Sequence, residues 1–486
     1  MGAKKYIFTA AQACYYENED GDQLPSGVNK SKRWTPKAVP HYHFLKGLET
    51  YCKENGAELV IQPVAGKNSR EDVLHEDLMD REDIFWGERM ILNQNLQCRD
   101  IVVPPQNVDP AEGKATLVSD YNSSLIFAHT KQRFCPVPVF NADLPRYLYT
   151  PGAVTLPNYA SANHRGDTAR RKHVFGALLV EILDETYYNI TNIRALRNGK
   201  FSDRGTVYDG DLPQKDIAVD FMTIGDLHLG NHDEKALQAT YEMLAQFKPN
   251  KIFLHDFFDG YSINHHEKDN PLRRIREFQK GRLILEEELR LDYKELMKLL
   301  NETGSKTEIY LVSSNHHAFL PKYINDKSWI DKDLWNADFA SYLFHKGISL
   351  NLPENEIDDA SYLLEEGLRR FGPIPERVKF LRLKDNLRRY GYQLACHGDK
   401  GSWGARGGNA KSMETVGGGK SVIGHRHSME IYGNTYIIGT NSLLDQFYAA
   451  GYGSASIAAN AIGHRDGTIQ MLPIIDGRWM KPKEKK

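Results

Sequence analysis

The sequence predicts an α/β fold of the α+β type in two parts, an N-terminal α/β domain over residues 1–212 and a second domain over 213–486. Three observations support this. A length of 486 residues implies two to four domains. A composition of 41% apolar and 26% charged residues supplies a core and excludes global disorder. Apolar, strand-like runs alternate with helical patterns along the chain, and in the second half these runs stop at acidic and histidine residues.

Charge and cysteine usage narrow the function classes. The formal net charge is −2, so no overall basic field advertises nucleic acid, and any polyanion site would be local. Cys14, Cys52, Cys98, Cys135 and Cys396 are scattered and form no Cys-x-x-Cys. They read as reduced thiols of a cytoplasmic protein, not a disulfide framework or a zinc–thiolate site. The N-terminus turns acidic at once and is read as neither signal peptide nor anchor. No run approaches the roughly 18–20 apolar residues that span a bilayer, so no membrane partner is expected.

The elements follow in order. Residues 4–14 read as a strand, 15–38 as a polar loop, 41–55 as a helix closed by Gly56, and Leu59-Val60-Ile61 as a strand, a βαβ beginning. Residues 71–97 are charged and read as helical. Residues 101–103, 115–118, 124–128 and 137–140 read as short strands, and 173–183 as a strong one. Residues 158–173 and 192–204 are basic, either solvated faces or a phosphate-contacting surface. No chemical constellation precedes residue 216, so the first domain reads as a substrate or assembly module, and the turn-rich 209–215 as the linker.

Residues 217–224 read as a buried strand that Gly225 closes, delivering Asp226-Leu227-His228. A helix over 234–247 and a strand over 251–254 follow, then His255-Asp256-Phe257-Phe258-Asp259-Gly260. Residues 272–300 read as one long surface helix whose basic start could border a groove. Residues 308–312 form a strand ending in Ser314-Asn315-His316-His317, residues 393–396 another ending in His397, and 421–423 another ending in Gly424-His425-Arg426-His427. The remainder, 436–475, is strand-like with turns.

The order Asp-x-His, Asp, Asn-His, His, His-x-His resembles the calcineurin-like metallophosphoesterase superfamily, with its D-x-H, G-D-x-x-D, G-N-H-(D/E), H and G-H-x-H blocks. The resemblance covers residues 216–475 and implies a β-sandwich flanked by helices. Phosphoester hydrolysis needs phosphate charge neutralised and hydroxide made near neutral pH, and two divalent cations about 3.5–4 Å apart do both. By the resemblance, one metal takes Asp226, His228, Asp256 and His427, and the other takes Asp256, Asn315, His397 and His425. Mn suits this nitrogen and oxygen set best, with Fe, Zn or Mg as alternatives. His316 would protonate the leaving group, and Asp259 would orient it.

Three positions depart from the pattern. His255 and Ser314 stand where the family has glycine, and His317 where it has an acid. His255 and His317 read as packed or ligand-orienting imidazoles, and His232, His265 and His266 as surface residues. The Asp226-Leu227-His228-Leu229-Gly230 start is similar to SbcD-type DNA nucleases. The glycine-rich stretch from His397 to Gly408 is similar to a group of tailed-phage metallophosphoesterases, some of which degrade host DNA early in infection. Lys400, Arg406, Lys411 and Lys420 sit in a glycine-rich loop bounded by His397 and His425, where they could contact flanking phosphates or be merely solvated. The expectation is a manganese-dependent DNase, possible in homo-oligomeric form, acting on DNA in the host cytoplasm if phage-encoded. The alternatives are a phosphatase or small-nucleotide phosphodiesterase, and a non-catalytic DNA-binding regulator.

Overall fold

The strand Val219–Ile224 alternates from Phe221 onward, past a register irregularity between Val219 and Phe221, and the alternation sets the layers of the molecule. Met222 and Ile224 point into a core shared with helices, while Phe221 points to the opposite side. Its neighbours repeat the pattern, with Ile252, Leu254, Ile309 and Leu311 on the helical side and Phe253 and Tyr310 on the other. The computed structural model describes residues 3–13, 16–17, 33–34, 38–64, 74–140, 144–159, 164–266, 270–352, 359–416, 418–444 and 453–482. It is a mixed α/β protein built on several sheets.

A six-stranded sheet carries the order Val378–Phe380, Glu308–Leu311, Lys251–Leu254, Val219–Ile224, Ala458–His464, Ile469–Ile474. The first four run parallel and the last two antiparallel. Helices Glu234–Phe247, Leu285–Glu302, Phe319–Asp326, Ala337–Ser349 and Ala360–Arg369 cover one face through a single aliphatic core. The other face, with Phe253 stacked on Tyr310 at a ring distance of 4.9 Å, shares its core with a ten-stranded sheet through Val422, Ile431, Tyr436 and Tyr149.

The expected βαβ unit is present. Lys4–Gln12 pairs in parallel with Ala57–Val64, and helix Tyr42–Asn55 connects them. Helix Glu234–Phe247 and strand Lys251–Leu254 also fall where the sequence puts them, with Asp233 capping the helix.

Several expectations are corrected. Within 71–97, the described residues hold only a short helix, Glu76–Met79, and then a hairpin, Arg89–Asn93 with Leu96–Arg99. The Asn93 side chain accepts the Asn95 N–H at 3.0 Å and closes that hairpin locally. Residues 115–118 belong to a helix, Ala115–Asp120. Residues 101–103 form no strand, since Pro104 and Pro105 remove ladder donors just beyond. The strand expected at 137–140 is Gln132–Val137 and stops before Pro138, and of 393–396 only Gln393 is in a strand. The loop at 15–38 and the start of the 71–97 segment lie largely outside the described residues.

The long helix over 272–300 is two, Pro271–Gln279 and Leu285–Glu302, parted where Gly281 adopts a φ of 68°. The second is no surface helix, because Leu289, Leu296 and Leu300 are buried in the core.

Strand pairing also crosses the division expected near residue 212. Glu430–Tyr432 pairs with Gln132–Val137, which joins strands of both halves into the ten-stranded sheet. The stretch 209–215 leads into strand Lys215–Asp216, which pairs back onto Thr206–Tyr208. Among the described residues, no helix is long and apolar enough to cross a membrane.

Candidate metal centre

The centre is assembled where strands end. Val219–Ile224 delivers Asp226 and His228, Lys251–Leu254 delivers Asp256 and Asp259, and Glu308–Leu311 delivers Asn315 and His316. These three strands are parallel neighbours, so their carboxyl ends open on one side of the sheet. From the second sheet, Tyr392–Gln393 leads to His397, and Ser421–Ile423 to His425 and His427. Backbone bonds tie the loops together: His228 N–H donates to Asp256 O at 2.7 Å, and Gly424 N–H to His397 O at 2.8 Å.

The backbone is strained where the side chains converge. His228, Asp256, His425 and His427 have φ values of 46°, 39°, 75° and 56°. Non-glycine residues in this region cost about 1–3 kcal/mol each and persist only where the surroundings dictate them, as at ligand clamps.

The Asp256 Oδ2 atom lies 3.5 Å from His228 Nε2 and 3.1 Å from His397 Nε2, so one carboxylate oxygen faces two imidazoles. Asp226 Oδ2 lies 3.3 Å from His427 Nε2 and accepts the His425 backbone N–H at 2.8 Å. His228 Nε2 and His427 Nε2 are 3.1 Å apart, and His425 Nδ1 is 3.1 Å from Asn315 Oδ1. Ligand atoms of Asp226, His228, Asp256 and His427 all lie within 4.8 Å of one another. These are the four residues assigned to the first metal.

The donor set fits a cation. Asp226 Oδ1 and Asp256 Oδ1 are buried with no hydrogen-bond partner among the described residues. Buried carboxylate oxygens without donors are costly, and coordination would satisfy them. These buried aspartates and histidines could therefore hold a metal ion. Charge crowding gives the same picture. Burial, and then the neighbouring Asp256 charge, push the Asp226 carboxyl up to about 7. Burial works against a charged His397, yet Asp256 and Asp226 raise it to about 9. Burial likewise opposes charge on His228, which Asp259 and Asp256 also raise to about 9.

Asp259 divides its groups between two histidines. Its Oδ1 is 3.0 Å from His228 Nδ1, while its backbone carbonyl accepts from His316 Nδ1 at 2.6 Å. The contact expected between Asp259 and His316 is made through the backbone carbonyl, while the carboxylate faces His228. Since a carbonyl only accepts, His316 Nδ1 carries a proton and Nε2 is left for the reaction space. Burial holds His316 below the ordinary imidazole pKa.

The chain is similar to Protein A1 of Escherichia phage T5. The two are 26% identical over 477 residues, which is 93% of this chain and 83% of that protein. No family model matches the sequence, and no solved structure matches the fold.

The loop cations separate. Arg406 is close enough to His425 to disfavour its protonation, although burial is the larger cause of that lowering, to about 4. Lys400 and Arg406 pair through their backbones. Lys411 instead bonds Glu112 at 3.1 Å and Asp109 at 3.3 Å, and Lys420 lies over the Tyr392 ring at 5.4 Å. Both are engaged by other groups of the chain, Lys411 by carboxylates and Lys420 by an aromatic face.

Of the departures from the family pattern, His255 places Nδ1 3.2 Å from His397 Nδ1, a ligand-orienting position. Gly424 makes room for it. A Cβ there would stand 2.2 Å from Asp226 Oδ1 and 3.1 Å from His255 Cβ. His232 is not a plain surface residue, since its ring accepts the Gly230 N–H at 3.1 Å.

Sequence reasoning missed three supports. Asn231 Nδ2 donates to Asp259 Oδ2 at 3.0 Å, Arg282 donates to Asn231 Oδ1 at 2.7 Å, and Glu288 accepts from the turn after Asp259. Asn231 follows the Asp-x-His-x-Gly run directly and could have been suspected. Arg282 and Glu288 come from a distant, charged segment and carry no motif.

Proposed function

We propose that this chain is a two-metal phosphodiesterase, and specifically a manganese-dependent DNase that is phage-encoded and acts on host DNA in the host cytoplasm. The observation that carries the reading is the Asp256 carboxylate, whose Oδ2 faces both His228 and His397, with His316 against the His228 ring. The six- and ten-stranded sheets are read as the two layers of a metallophosphoesterase sandwich. Similarity to a phage T5 protein supports a phage origin, and the resemblance of the ligand order supports the chemistry.

Asp226, His228, Asp256 and His427 would hold one cation, and Asp256, Asn315, His397 and His425 the other. Two divalent cations there would neutralise phosphate charge and make water a nucleophile near neutral pH. The protein's own groups account for the rest. Asp259 fixes the ring of His228 through Nδ1, leaving Nε2 as its donor atom. The Asp259 carbonyl fixes His316 through Nδ1, so that the second proton, which Nε2 carries only in the imidazolium form, can pass to the departing alkoxide. Arg406, beside His425, would meet a flanking phosphate.

One observation favours a second reading, a phosphatase or small-nucleotide phosphodiesterase: Lys411 is engaged by Asp109 and Glu112 and Lys420 by the Tyr392 ring, which leaves fewer cations for a long polyanion. The test is incubation of the purified chain with linear and circular DNA and with a chromogenic phosphodiester, in manganese, magnesium or chelator. DNA cleavage that needs manganese and far exceeds diester cleavage supports a DNase. The reverse order supports the second reading, and no metal-dependent turnover contradicts both.

A further inference from the structure

Helix Leu285–Glu302 buries two carboxylates on one face, Glu288 and Asp292. A carboxylate inside a core needs donors. Those of Glu288 are three consecutive backbone amides. Its Oε1 accepts the N–H groups of Gly260 at 2.6 Å and Tyr261 at 3.1 Å, and its Oε2 accepts that of Ser262 at 3.0 Å. Gly260, with a φ of 78°, makes the turn that points them all toward the helix. Asp292 has no comparable role, since neither of its oxygens has a hydrogen-bond partner among the described residues.

These amides follow Asp259 directly. The two groups of Asp259 are therefore held by different anchors. Its carboxylate is held from outside by Asn231, itself held by Arg282. Its carbonyl, the acceptor for His316 Nδ1, belongs to the peptide whose N–H is bound by Glu288. A peptide is planar, so fixing its N–H fixes its C=O.

We propose that Glu288 is a positioning residue for proton delivery: it clamps the Asp259–Gly260 peptide and thereby aims Nε2 of His316 at the leaving group. This rests on the reading of the centre as a phosphodiesterase with His316 as its acid. Glu288 touches neither substrate nor the expected metal ligands.

The experiment compares two diesters that differ in their need for a proton, bis(p-nitrophenyl) phosphate, whose leaving group departs readily as an anion, and diphenyl phosphate, whose leaving group does not. Glu288→Gln keeps the size of the side chain but replaces an acceptor by an N–H₂ group. It should lower kcat for diphenyl phosphate by about 10²-fold and for bis(p-nitrophenyl) phosphate by less than about threefold, with KM and bound manganese unchanged. In a His316→Ala background it should add nothing, because both changes remove one function. Equal slowing of the two diesters, or a full additional loss in the His316→Ala background, would mean a packing role and overturn the proposal. Should Glu288→Gln not fold, Glu288→Asp keeps the carboxyl acceptor and shortens the reach, and it must show the same split between leaving groups. If the unmodified chain hydrolyses neither diester nor DNA with manganese, the phosphodiesterase reading itself has failed. Turnover by the unmodified chain without the split in the variant condemns only the role of Glu288.

Discussion

The Asp259 carboxylate faces His228, with Oδ1 3.0 Å from Nδ1, while the Asp259 carbonyl accepts from His316 Nδ1 at 2.6 Å. One residue thus serves both a candidate metal ligand and the candidate acid, through chemically different groups that mutation can separate. Asp259→Asn keeps the carbonyl but weakens the acceptor for His228, and metal affinity should fall by roughly 10–100-fold. His316→Ala should retain both metals and lose roughly 10²–10⁴-fold in turnover of unactivated diesters. Titration with manganese and steady-state kinetics on the two variants check the division. A His316→Ala protein with full turnover would remove that residue from the reaction.

Gly424 matters for its missing side chain. A Cβ there would fall 2.2 Å from Asp226 Oδ1, which must move. Gly424→Ala should therefore lose bound metal, read by elemental analysis, while its far-ultraviolet circular dichroism stays that of the unmodified chain. Undiminished metal content would show that Asp226 is not held as described.

The two kinds of loop cation should behave differently on DNA. With chelator present to prevent cleavage, Arg406→Ala should weaken DNA binding and make the salt dependence shallower by about 0.7–0.9 in slope, the effect of one lost phosphate contact. Lys411→Ala should leave that slope as it is, since Lys411 is held by Asp109 and Glu112. Fluorescence anisotropy across a salt series reads both.

Lys131 gives a pH test of the frame that carries the centre. Its amine is buried among Thr130, Tyr159 and the Pro105 carbonyl, with no carboxylate partner among the described residues, and burial followed by the Lys172 charge lowers its pKa to about 7. Above that value the folded chain lacks the proton, while the unfolded chain keeps it up to the ordinary lysine value of 10.5. Stability must therefore rise with pH across this window, and the contribution vanishes in Lys131→Met. Urea midpoints of the two proteins at pH values from about 7 to about 10 should diverge in that sense. Parallel curves would show that Lys131 stays charged in the fold.

Much of the centre was legible because its chemistry follows strands of strong alternation. Asp226, Asp256 and Asn315 could be placed at strand ends from the apolar runs before them. The hairpin at 89–99 was not, since its apolar run Met90-Ile91-Leu92 is only three residues long and follows a charged stretch that reads as a helix. The buried face of Leu285–Glu302 was hidden for a related reason: Glu288 looks solvated in sequence and becomes a buried acceptor only when the 260–262 turn arrives over it. The joining of both halves in one sheet depends on two residue pairs between Gln132–Val137 and Glu430–Tyr432, some 300 positions apart, to which no local pattern points.

The account depends most on Asp256 being shared. Crystals grown with manganese, measured at the manganese absorption edge, test it directly. Two anomalous peaks about 3.5–4 Å apart with Asp256 between them are expected. No peak, a single peak, or peaks that Asp256 does not touch would contradict the two-cation centre.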